Sequence, residues 1–224
     1  MRLLLVRHGQ TRSNVEHLLD TAVPGADLSE LGRDQAAALV PALGGLGIGA
    51  VTASTLVRTQ QTAAPLAAHL GLPVAVADGL REIEAGDLEM RGDEESVRRY
   101  LDVVAAWLHG DLSVAEPGAE DGHAFFARYD AAVADALAAA RAADVETLVL
   151  VSHGAAIRTW AGSRVRNVSA DFVIATGLEN TGVVELVGSP EEGWTCERWA
   201  GAVVAPEQAA ATGAGAAAEP GSVF

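Results

Sequence analysis

A chain of 224 residues, half of them apolar, is long enough to bury one core and too apolar to be disordered. Its formal net charge of −15 argues against nucleic acid and anionic membrane surfaces as partners, although a local Arg/His pocket can still hold a small anion. The single cysteine, Cys196, excludes an internal disulfide and suits a reducing compartment.

The opening run Leu3-Leu4-Leu5-Val6 reads as a strand buried on both faces, and it breaks directly into Arg7-His8-Gly9-Gln10-Thr11 with Asn14 close behind. A cation and an imidazole at the C-terminal end of such a strand sit where open α/β sheets bind ligands. Gly9 is expected to let the backbone turn and approach the bound group. The run is too short for a secretory signal, and no uncharged segment reaches the roughly 20 residues of a spanning helix, so the expected location is the cytoplasm.

Ser29 is placed to cap a helix with Glu30 in its first turn, ending at the Gly44-Gly45 cluster. Ile48 to Ala53 reads as a second strand, and Ser54 to Ala63 as the opening of a helix that Gly71 stops. Pro73 to Val76 is the third strand. This alternation predicts parallel pairing in an α/β domain.

From Ile83 to Asp121 the alternation lapses, with one helix expected around 97–108; an insertion of about 84–120 would serve as a lid. Asp121 caps a long helix to about Ala143, whose Phe125, Tyr129, Val133 and Leu137 form a core stripe. A strand at 147–151 then ends in Ser152-His153-Gly154, repeating the device of the first strand. The alternating run Val183 to Val187 is expected as an edge strand, open to a homodimer contact, with 194–199 pairing to it. Residues 205–224, mostly Ala, Gly and Pro with a few polar residues, are expected to form a flexible tail beyond a domain spanning 1–204.

Arg58, near the start of a helix, is unfavourable for the helix dipole and is better explained by a bound anion. Glu82, just past the third strand, is a candidate general acid. His17, His69, His109 and His123 lack the strand-end context and read as surface residues. No His, Cys or carboxylate spacing suggests a metal, and no Gly-rich loop suggests a nucleotide; no cofactor is expected.

Taken together, Arg7-His8-Gly9-Gln10-Thr11 with Asn14, Leu28-Ser29-Glu30-Leu31-Gly32, Ser54 to Ala63 around Arg58, Leu80-Arg81-Glu82-Ile83, Pro117 to Glu120, Val151 to Gly154 and Asn180 resemble the histidine phosphatase superfamily, in its phosphoglycerate-mutase-like branch. The resemblance runs from Leu3 to about Leu186. It implies a three-layer α/β/α sandwich with a mainly parallel central sheet. It also implies that His8 becomes phosphorylated, that Arg7, Arg58 and His153 hold phosphoryl oxygens with Asn14 and the Gly154 backbone, and that Glu82 donates a proton. The chemistry fits: a neutral imidazole suits attack on a dianionic ester, and arginine's fork matches two phosphoryl oxygens.

Residues 15–26 contain no Trp, and Arg98-Arg99-Tyr100 only partly matches the lid motif of true mutases. The expected activity is therefore hydrolysis of a small phosphorylated metabolite. The alternatives are a cofactor-dependent phosphoglycerate mutase and a catalytically weak member that binds phosphorylated ligands.

Overall fold

The computed structural model describes residues 1–205. A seven-stranded sheet is laid down by β1 (Arg2–Arg7), β2 (Ile48–Ala53), β3 (Val74–Val76), β4 (Thr147–Ser152), β5 (Val183–Ser189), β6 (Gly193–Trp199) and β7 (Ala202–Val203), in the order β3-β2-β4-β1-β5-β6-β7. The first four strands in that order pair in parallel, and β5, β6 and β7 continue the sheet antiparallel. The helices are α1 (Arg12–Val15), α2 (Glu30–Leu43), α3 (Val57–Leu70), α4 (Glu94–Leu108), α5 (Gly122–Ala142), α6 (Gly154–Arg164) and α7 (Ala170–Ala175).

The period of two in a strand explains the three layers. Leu4 and Val6 of β1 join Val149 and Val151 of β4 in a core completed by Leu39 and Leu43 of α2 and Ala63 and Leu66 of α3. Leu3, Leu5, Leu148 and Leu150 point the other way, into a core with Phe125, Tyr129, Val133 and Leu137 of α5 and Trp160 of α6. Residues 3–6 are fully buried. At about 1.5–3 kcal/mol for each aliphatic side chain, this strand is a main anchor of the fold.

Caps set the helix ends much as the sequence suggests. Ser29 accepts from Gly32 N, Asp121 from Ala124 N, and Gly71 closes α3 in the left-handed region at φ 68°. The third helix begins later than expected, however. Ser54 and Thr55 stay in the loop and α3 starts at Val57, because the Ser54 hydroxyl bonds to Thr59 and His153 instead of capping a first turn.

The stretch expected as an edge strand lies inside the sheet. β5 pairs with β1 on one side and β6 on the other, which leaves β3 and the two-residue β7 as the edges. The tail expected at 205–224 falls outside the described residues from 206 onward. Among the described residues, no helix is long and apolar enough to cross a membrane.

Candidate active site

Parallel register brings the two His-Gly strand ends together. Arg7 of β1 pairs with Ser152 of β4, so the next residues, His8 and His153, leave the sheet side by side. His8 N bonds to Ser152 O at 3.0 Å, and the two rings sit edge to face with centroids 5.2 Å apart. β2 ends alongside: Ser54 N bonds to Val151 O, which sets the Ser54 hydroxyl 2.8 Å from His153 Nε2.

The His8 ring is held at both nitrogens. Nδ1 lies 2.7 Å from Gly9 O, an acceptor, so it carries the proton and Nε2 carries the lone pair. Arg58 Nε donates to that Nε2 at 3.1 Å. Burial first, then the charges of Arg58 and Arg7, hold His8 well below the usual imidazole range, with only the Gly9 carbonyl pulling upward. His153 is lowered likewise, by burial and then Arg58. Both rings are neutral at pH 7.

Gly9 makes a close approach within the chain itself. A Cβ there would lie 2.5 Å from Gly32 O of α2, and a Cβ on Gly32 would lie 2.0 Å from Gln10 O. The pair lets α2 pack backbone to backbone against the loop that follows β1; Gly9 approaches a helix. Gly9 N is also tied to Thr62 Oγ1, which donates in turn to Arg58 O, so α3 fixes both His8 and Arg58.

Arg7 is 2% exposed and donates through Nη1 to Leu178 O; burial lowers it to about 10, which leaves it a cation at neutral pH. Arg58, 3% exposed, donates through Nη2 to Asp20 O at 2.7 Å and sits 3.6 Å from the Asp20 carboxylate. Three buried nitrogens of this cluster have no hydrogen-bond partner among the described residues: Arg7 Nε, Arg58 Nη1 and His153 Nδ1. A buried N–H without a partner costs about 1–3 kcal/mol, and three in one place describe a site built for an anion. The Ser54 hydroxyl can donate to His153 Nε2 or accept from it; donation puts the one proton of neutral His153 on Nδ1, which makes that nitrogen a donor like the two guanidinium groups.

Asn14 completes the rim. Its Oδ1 accepts from Thr11 N, Thr11 Oγ1 and Asn180 Nδ2, so the group left for the cleft is its amide N–H2. Gly154 opens α6 immediately after His153. The N–H groups of Ala155 and Ala156 go to Glu82, which leaves that of Gly154 for a ligand. A Cβ on Gly154 would lie 3.2 Å from Arg7 Nε.

Glu82 lines the same cleft, its Oε1 accepting from Ile83 N and Ala156 N and its Oε2 from Ala155 N. Arg128 of α5 fixes its loop from below, donating to the carbonyls of Gly79, Arg81 and Glu82 and pairing with Glu120. Nothing local marks Arg128, since it stands beside Tyr129 in what reads as a core helix. Asp20 is also a site residue that only the tertiary structure reveals, while Ser54 and Tyr100, read in the sequence as parts of longer motifs, take up individual places in the site. Tyr100 of α4 donates to Ile83 O and lines the cleft with Leu18 and Leu19.

The cleft encloses about 30 Å³. A larger cavity of about 640 Å³ lies between β2, β3 and α5, with nine alanines in its lining. It holds none of the convergent charges, so size does not mark the chemistry here. His17, His69, His109 and His123 are exposed, away from the cleft lining. Among the described residues no His/Cys/Asp/Glu group is arranged to hold a metal ion.

A three-layer α/β/α domain that gathers two neutral imidazoles, two buried guanidiniums and a carboxylate at the C-terminal ends of its parallel strands is a phosphoryl-handling enzyme in class. The chain belongs to the histidine phosphatase superfamily (branch 1), whose family model matches residues 3–201, and it is a metal-independent phosphoric monoester hydrolase by that membership. It is 37% identical over 217 residues to the PE-PGRS family protein PE_PGRS11 of Mycobacterium tuberculosis, covering 90% of this chain but only 36% of that protein. It is 31% identical over 209 residues to glucosyl-3-phosphoglycerate phosphatase of the same species, covering 88% of this chain and 91% of the relative. The solved structure of mycobacterial glucosyl-3-phosphoglycerate phosphatase complexed with VO3 superposes with a TM-score of 0.73 at 29% identity, over 88% of this chain and 98% of that one.

Proposed function

We propose that this chain hydrolyses a small phosphorylated metabolite through a phosphohistidine on His8. The observation that carries the reading is the set of unpartnered buried nitrogens, Arg7 Nε, Arg58 Nη1 and His153 Nδ1, around the lone pair of His8 Nε2.

The steps follow from the geometry. A phosphate monoester enters with its non-bridging oxygens toward Arg7, Arg58, His153 Nδ1, the Asn14 amide and the Gly154 N–H. His8 Nε2, its lone pair released as Arg58 Nε turns from it to the phosphoryl oxygens, attacks phosphorus in line, and the P–O bond to the leaving alkoxide breaks. Glu82, entering as the acid, protonates that alkoxide. As a carboxylate it then takes a proton from the water that attacks phospho-His8, which frees inorganic phosphate and returns His8 Nε2. The fixed donors do most of the stabilising, since charge builds on the equatorial oxygens in a site from which water is excluded.

Tyr100 of α4 lines the cleft beside Leu18 and Leu19, which suits a lid role for 84–120. The relatives named for glucosyl-3-phosphoglycerate, and for adenosylcobalamin/alpha-ribazole in Escherichia coli, support a phosphorylated small molecule as substrate. An enterobacterial relative at 30% identity is named probable phosphoglycerate mutase GpmB. The two activities separate in one assay: phosphate release from a panel of phosphorylated metabolites in EDTA, run beside isomerisation of phosphoglycerate. Release faster than isomerisation is expected; isomerisation faster than release would overturn hydrolysis.

A further inference from the structure

Asp20 places an acid at the wall of a site built for an anion. It lines the cleft, and its side chain is 9% exposed. Its Oδ2 accepts from Ser13 Oγ at 2.7 Å and from Ala26 N at 3.0 Å, so α1 and the chain ahead of α2 both fix the carboxylate. Its main-chain carbonyl takes Arg58 Nη2 at 2.7 Å. Its Oδ1 lies 3.6 Å from Arg58 Nη1, beyond hydrogen-bond range, so the contact is one of charge and leaves that N–H free.

From this arrangement we infer that Asp20 is a resident counter-anion for Arg58, holding the guanidinium while the site is empty and competing with the phosphoryl group once it arrives. The inference rests on Arg58 being a phosphoryl-binding residue. Two other acids stand near Arg58, and both are engaged elsewhere. Glu82 spends its oxygens on α6 and Ile83, and Glu89 accepts from Thr21 N, Thr21 Oγ1 and Ala22 N. Asp20 acts on Arg58 more strongly than either and is the acid that forms an ion pair with it.

A phosphate on Arg58 Nη1 comes within a few ångströms of the Asp20 carboxylate. Like charges at that distance in a poorly solvated cleft repel strongly. Asp20 therefore weakens the grip on phosphate, which favours release of product over its retention. It is a positioning residue, acting through Arg58 and making no bond to the reacting atoms.

Asp20→Asn separates the two roles of the residue, because it removes the charge and keeps an oxygen for Ser13 and Ala26. The expected result is that inorganic phosphate inhibits the variant about tenfold more tightly than the wild type, with KM falling in step and no rise in kcat. A second readout survives a loss of stability: the rise in Tm that inorganic phosphate induces should be larger in the variant than in the wild type. Equal or weaker phosphate binding by the variant, with normal competitive binding by the wild type, overturns the inference, since a purely structural Asp20 would loosen Arg58 and weaken binding. Failure of the wild type to bind phosphate overturns the inference together with the reading of the site beneath it.

Discussion

Arg58 Nε points its hydrogen at His8 Nε2, 3.1 Å away, so a cation from α3 rests on the lone pair of the strand-end imidazole. Burial, helped by this cation, keeps His8 neutral, and the same contact sets Arg58 Nη1 beside the place where a phosphoryl group would sit.

Replacing Arg58 therefore removes both a phosphoryl donor and the group that orients the nucleophile. Arg58→Ala is expected to lower kcat/KM by about 10²–10³-fold, the usual cost of one fixed donor in a water-excluded site. Arg58→Lys should recover little, because a lysine cannot reach His8 and the phosphoryl oxygen at once. Steady-state kinetics on an aryl phosphate check this, and a lysine variant near wild-type activity would contradict it.

Gly154→Ala tests how closely the start of α6 is fitted to Arg7. The added methyl would press the guanidinium from 3.2 Å, so the arginine must shift by a few tenths of an ångström. We expect a loss of phosphate affinity with little change in unfolding midpoint, since alanine is a better helix former than glycine. A loss of stability without a loss of affinity would place the strain elsewhere.

Much of this architecture is legible in the chain, and the reasons differ by element. The residues of β1 and β4 declare themselves because strands covered on both faces read as unbroken apolar runs, and their matching Arg-His and Ser-His ends mark a common rim. Arg58 is visible because a cation is misplaced at a helix start. Asp20 and Arg128 are not visible, since each takes its role from partners brought close only by folding: Arg58 lies 38 residues from Asp20, and the carbonyl of Gly79 lies 49 residues from Arg128. The six-residue α7 carries too little periodicity to be read. Gly9 was legible as necessary but not in its purpose, because the backbone it approaches belongs to α2.

Buried neutral imidazoles make stability depend on pH with a definite sign. His8 and His153 have folded values below the 6.5 of a free imidazole, so the unfolded chain takes up those protons first. Their contribution is complete above about pH 6.5 and is lost as pH falls from there toward the lowered folded values. Each ring adds a slope of up to about 1.4 kcal/mol per pH unit. Denaturant unfolding of wild type and His153→Asn at pH values from about 7.5 down to about 5 should give a shallower loss in the variant; parallel curves would contradict a neutral His153.

Glu82→Gln distinguishes acid catalysis from simple binding. A phenolate with electron-withdrawing groups leaves without help, whereas an alkyl alkoxide needs a proton. The variant should keep most of its turnover of nitrophenyl phosphate and lose that of alkyl phosphates. Equal losses on both would remove Glu82 from the proton-transfer role. Arg128→Met, which frees the loop carrying Glu82, should reproduce the same leaving-group pattern in weaker form.

The central claim is that His8 carries the phosphoryl group. Wild-type enzyme mixed with radiolabelled substrate and quenched in alkali should hold label that acid removes, on the peptide containing His8, and His8→Ala should hold none. Turnover without labelled enzyme, or label on any other residue, would contradict the account.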